Sequence, residues 1–91
     1  MRESAPRYRT LRLCSAGGGF EALPESARRL DLAAVRRRLE EEGRSVIDAR
    51  VMLIVVGTPE VTISAAGRVL IKTPDRSLAE QAFAGLLPLL S

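Results

Sequence analysis

The chain has no histidine, no tryptophan and no asparagine. Without histidine, a Ser-His-Asp triad and a histidine-ligated zinc site are both excluded. A single cysteine, Cys14, rules out an intrachain disulfide and a CxxC pair. One Tyr and two Phe among 91 residues mean that any core must be aliphatic. Lysine is nearly missing too: of fourteen basic residues, only Lys72 is not arginine. The longest apolar run, Val51 to Val56, is far too short to span a bilayer. Residues 1–10 are polar and Arg-rich with no apolar segment behind them, so no signal peptide is read there. These absences set the expectation of a cytoplasmic protein with a reduced thiol and no membrane association. They also set the expectation of no enzyme activity, no metal, no cofactor and no small-molecule substrate.

What is present suits one small folded unit. The length fits a single domain, with residues 1–6 reading as a disordered leader and 7–91 as the domain. Hydrophobic residues make up 46% of the chain, enough for a core. A domain this small buries only a modest share of its surface, so self-association would add stability. The net charge of +3 is a weak pointer to anionic partners.

Alternation predicts a first strand over Arg7–Cys14, with Leu11 and Leu13 on the core side and Tyr8, Thr10 and Arg12 on the other. Ser15–Gly19, with three consecutive glycines, reads as a flexible loop. Asp31 is a good N-cap, and Leu32, Val35 and Leu39 form an apolar helix stripe that ends at Gly43. Whether a turn from Pro24 to Leu30 joins this helix is left open by the pattern. Ser45–Val56 is β-rich, with Asp48-Ala49 separating two strands or marking a bend. Val61–Ser64 and Arg68–Thr73 follow as a hairpin around Gly67. Ser77 and Glu80 match a capping box ahead of a second amphipathic helix that stops at Pro88. The predicted order is β-α-β-β-β-β-α.

This order, with the Leu30-Asp31-Leu32 helix entry, the Ile63-Ser64-Ala65-Ala66-Gly67-Arg68 hairpin and the segment Val69-Leu70-Ile71-Lys72-Thr73, resembles one half of a TATA-binding-protein-like (TBP-like) domain. The resemblance covers about Tyr8 to Leu87. It implies an α+β fold: a curved antiparallel sheet with two helices on its convex side and a concave face that binds. A homodimer would rebuild the two-fold saddle. Carried over by position, the concave face shows Tyr8, Thr10, Arg12, Leu53, Val55, Thr62, Ser64, Leu70 and Lys72. The family's Phe wedges correspond to Ala49 and Ser64, which cannot intercalate, and its groove-reading Asn has no counterpart. TATA-type kinking is therefore not expected.

Two kinds of partner follow for that face. DNA or RNA would be held without base readout by Tyr8, Thr10, Arg12, Thr62, Ser64, Arg68 and Lys72. A second copy or another protein would cover Leu53, Val55 and Leu70. Other candidates have plainer readings. Arg36, Arg37 and Arg38 precede Glu40, Glu41 and Glu42 at i+4 spacing, which makes a solvated helix face. The leader and first strand hold Arg2, Arg7, Arg9 and Arg12 around Tyr8, a setting for single-strand stacking or a polar edge. Cys14 has no histidine to activate it and reads as a small packed residue. The glycine run lacks the lysine of a phosphate-binding loop.

Overall fold

A computed structural model describes residues 7–13 and 18–90. Cys14, Arg2, the leader and part of the glycine run lie outside the described residues. The fold is α+β, a six-stranded antiparallel sheet with two helices. Its elements are β1 (Arg12–Leu13), β2 (Phe20–Ala22), α1 (Leu32–Glu41), β3 (Val46–Asp48), β4 (Met52–Val55), β5 (Val61–Ser64), β6 (Val69–Ile71) and α2 (Arg76–Leu86). A 3-10 turn, Leu87–Leu90, follows α2. Across the sheet the strands run β1-β2-β6-β5-β4-β3. α1 carries the chain from β2 to the far edge at β3, and a meander then returns it to β6 beside β2.

One parity of the strands makes the core. Leu53 and Val55 of β4 stand opposite Ile63 and Val61 of β5, and Ile63 and Val61 stand opposite Val69 and Ile71 of β6. All six are buried, as are Phe20 and Ala22 on β2. α1 covers them with Ala34, Val35 and Leu39, α2 with Ala79 and Leu86, and the final turn with Leu90. Both helices therefore lie on one face, as the sequence suggested. The six-strand order β-β-α-β-β-β-β-α corrects the expected β-α-β-β-β-β-α. The added strand is β2, a three-residue segment too short to show a period.

Local signals explain the ends of the helices. The Asp31 carboxylate accepts a hydrogen bond from the Ala34 amide at 3.2 Å, capping α1 as predicted. Leu30 before it and Val35 after it both join the core. Gly43 takes the left-handed conformation expected beyond a helix end, with φ +86°. α2 begins earlier than the Ser77 capping box implied. Asp75 caps it, accepting from the Leu78 amide at 3.2 Å, while Glu80 pairs with Arg76. Gly67 turns the β5–β6 hairpin at φ +96°.

The predicted first strand is shorter than its pattern, and it bulges. Tyr8 bridges to Pro24, whereas Arg12 pairs with Glu21. Three residues on one side thus face two on the other, and the extra residue reverses which way Tyr8 points. Leu11 reaches the core as expected, but Leu13 is largely exposed.

Gly19, expected in a flexible loop, is packed at the entry to β2. A Cβ there would run into the backbone carbonyl of Ile71, while one at neighbouring Gly18 would meet open space. Gly19→Ala should therefore cost about 1–3 kcal/mol, and Gly18→Ala less than about 0.5 kcal/mol. Urea unfolding of the two variants side by side checks this.

Candidate binding face

The sheet face turned away from the helices is crossed by one row of partners. Arg12 opposes Glu21, Glu21 opposes Leu70, Leu70 opposes Thr62, Thr62 opposes Ile54, and Ile54 opposes Ile47. Met52 and Ser64 form a second pair beside this row. Val56 continues the β4 parity, with its amide donating to the Ser45 carbonyl at 2.9 Å. The face thus divides. Its β3–β4 half is apolar, with Ile47 and Val56 each about half exposed at 52% and 51%. Its β1–β2–β6 half is charged.

Leu53 and Val55 do not belong to it. They were expected on the binding face, but they are 1% and 4% exposed and form the core. The run Val51–Val56 is apolar at every position, so its pattern cannot show which parity faces inward. Pairing with Ile63 and Val61 settles the phase, and Met52 and Ile54 take the open side instead. Tyr8 is also corrected. The bulge turns it to the helix side, where its ring meets Phe83 edge-on at 5.2 Å. Its hydroxyl donates to the Gly67 carbonyl at 2.6 Å. Burial pushes that hydroxyl's pKa up, opposed by the charge of Arg28.

The other expected positions do gather on the open face. Thr62, Ser64 and Leu70 lie there half-buried. Thr10 and Arg12 line a small hollow of about 40 Å³ with Arg9, Glu21 and Leu23. Arg68 sits at the start of β6, its amide donating to the Ser64 hydroxyl at 3.1 Å. Lys72 lies just beyond the end of β6.

Three cations at this face, Arg12, Arg68 and Lys72, pair with carboxylates. Glu21 takes Arg12 Nε on one oxygen at 2.8 Å and Arg68 Nη2 on the other at 2.8 Å. Lys72 Nζ lies 3.1 Å from Glu60. Sequence reasoning missed the Glu21 clamp, because nothing in the spacing joins positions 12, 21 and 68. The arginine hydrogen bonds, Arg68 first and Arg12 next, hold the Glu21 carboxyl below its ordinary value of 4.5 and outweigh its desolvation.

The remaining charged residues are local. Of the three intrahelical pairs expected on α1, Arg36–Glu40 forms at 3.2 Å. Arg36 also reaches Asp48 at 3.3 Å, Arg38 donates to the Leu89 carbonyl, and Glu42 pairs with Arg44. A hollow of about 560 Å³ opens on the helix side between Arg44, Val55, Pro59, Leu78, Gln81 and Ala82. Its lining carries one ionisable side chain, Arg44. Among the described residues, no three acidic or cysteine side chains gather as a metal site, and no helix is long and apolar enough to cross a membrane.

Comparison with family models, curated proteins and solved structures finds no match to this chain.

The lowered pKa of Glu21 fixes the sign of a pH effect. A carboxyl that is more acidic when folded adds stability above its unfolded value, and this contribution is lost as pH falls through the folded value. Glu21→Gln should cost about 1 kcal/mol at neutral pH, a figure kept small by solvent around both arginines. Below pH 4.5 the wild-type protein should lose stability faster than the variant, so that the two unfolding curves converge. Urea titrations across that pH range test it.

Proposed function

We propose that this chain is a non-enzymatic protein-interaction module whose working surface is the helix-free sheet face. One observation carries the reading. The row Ile47–Ile54–Thr62–Leu70, flanked by Met52 and Val56, is uncovered by any described part of the chain. Contiguous apolar surface on a small domain marks a protein contact. A charged rim beside an apolar centre is the usual anatomy of such a surface.

The nucleic-acid reading draws less support. It relies on Arg12, Arg68 and Lys72, and each of these already faces a carboxylate at 3.1 Å or less. A phosphate backbone would have to displace Glu21 or Glu60, or approach them as like charges. Tyr8, the one aromatic offered for base stacking, is turned to the helices. The antiparallel sheet with both helices on one side supports the resemblance to half of a TBP-like domain as part of this proposal. β2 and the missing wedges are departures from it.

Two measurements test the proposal. Wild-type protein used as bait should retain a partner that Ile54→Glu and Leu70→Glu both lose by about tenfold or more, since each places a charge in the contact centre. Arg37→Glu, on the exposed side of α1, should retain it. Circular dichroism confirms that the variants fold. Titration with duplex and single-stranded DNA and RNA should show no binding. Binding that weakens steeply with salt and is lost in Arg12→Ala and Lys72→Ala would replace this reading with the nucleic-acid one.

A further inference from the structure

Among the described residues the sheet ends in two unpaired edges, and they differ in charge. β1 and the segment before it carry Arg7, Arg9 and Arg12, so two copies meeting there would bring like charges together. β3 carries neither proline nor lysine, which are common guards of a free edge. Its inward hydrogen bonds fix which groups face out. Val56 N–H donates to Ser45 C=O, and Ala49 N–H donates to Met52 C=O, each at 2.9 Å. The antiparallel alternation then turns the N–H and C=O of Val46 and Asp48 away from the sheet.

We propose that β3 pairs with β3 of a second copy, antiparallel about a two-fold axis, so that two six-stranded sheets become one. This goes beyond the partner-binding reading and does not rest on it. Because the outward groups belong to Val46 and Asp48, a two-fold ladder has three possible registers. Asp48 opposite the second copy's Asp48 sets carboxylate against carboxylate. Val46 opposite the second copy's Asp48 sets Arg44 against Arg50. Val46 opposite the second copy's Val46 sets Arg44 against Asp48, twice. Of the three, the last alone places opposite charges across the seam, where like charges destabilise. Asp48 keeps one oxygen on the Arg50 amide at 2.8 Å, which leaves Arg44 and the other Asp48 oxygen to exchange partners. Their present ion pairs, to Glu42 at 3.5 Å and Arg36 at 3.3 Å, are long and solvent-exposed.

The same register extends the apolar face. Ile47 stands opposite the second copy's Ser45, which adjoins Val56 in its own sheet. The row Ile54–Ile47 of one copy therefore runs on into Ser45–Val56 of the other. The two half-exposed side chains, Ile47 and Val56, then lie in one row across the seam with Ser45 between them.

Sedimentation equilibrium of the 91-residue chain over a wide concentration range tests the pairing. The mass should rise from 9.9 kDa toward twice that value. Arg44→Asp should raise the dimer dissociation constant about tenfold, since two opposite-charge pairs become like-charge pairs. The double variant Arg44→Asp with Asp48→Arg should restore it. Val46→Pro removes an outward amide without touching the β4 ladder, and should leave a folded monomer by circular dichroism. A wild-type protein that stays monomeric overturns the proposal. So does a dimer strengthened by Arg44→Asp, which would place Arg50 opposite position 44. A dimer that survives Val46→Pro but is lost in Leu70→Glu assigns self-association to the helix-free face and likewise overturns the edge pairing.

Discussion

Leu53, Val55, Val61, Ile63, Val69 and Ile71 all have to lie on one side of three adjacent strands, and the rest of the molecule follows from that requirement. These branched aliphatic side chains bury little polar surface and fill the space that a nearly aromatic-free chain has to fill. Once their parity is set, α1 and α2 have one face to cover, and each presents its own apolar stripe to it. The single buried cluster also takes in Leu30 and Leu90, so both the entry to α1 and the end of the chain are fastened to the same core.

The opposite parity is then fixed without being selected for burial. Met52, Ile54, Thr62, Ser64 and Leu70 are left outward as the other half of the same alternation. At the β1–β2 side, a carboxylate on the middle strand draws in an arginine from each flank. Glu21 ties β1 to the start of β6 through β2, joining segments far apart in sequence on the face that no helix covers. The net charge of the chain is thereby poorly represented on this face. Arg12, Arg68 and Lys72 are partnered there, while Arg28 and Arg29, ahead of α1, and Arg37, on it, are exposed.

Much of this architecture was legible in the residues. The Asp31 cap, the Gly43 stop, the Gly67 turn and the alternation in β5 and β6 all appear where local chemistry requires them. The misreadings have physical causes. Val51–Val56 has no polar position to mark its outward side, so Leu53 and Val55 were exchanged with Met52 and Ile54. Three residues cannot display a period, so the sequence pattern does not show β2. A bulge leaves no mark on composition, and one extra residue moved Tyr8 from the sheet face to the helices. The Glu21 clamp depends on strands paired across a sequence distance that no motif spans. Of the residues expected on the helix-free face, Thr10, Arg12, Thr62, Ser64 and Leu70 lie there, whereas Tyr8, Leu53 and Val55 face the helices and the core.

Gly19 shows how such a sheet constrains its own history. Position 18 stands in open space, and position 19 abuts a backbone carbonyl that cannot yield. Drift in the sequence is expected to run freely up to the first and to stop at the second. Among diverged descendants of this chain, a lone invariant glycine ahead of a short, otherwise forgettable strand would then be a better mark of shared descent than the arginines that dominate its composition.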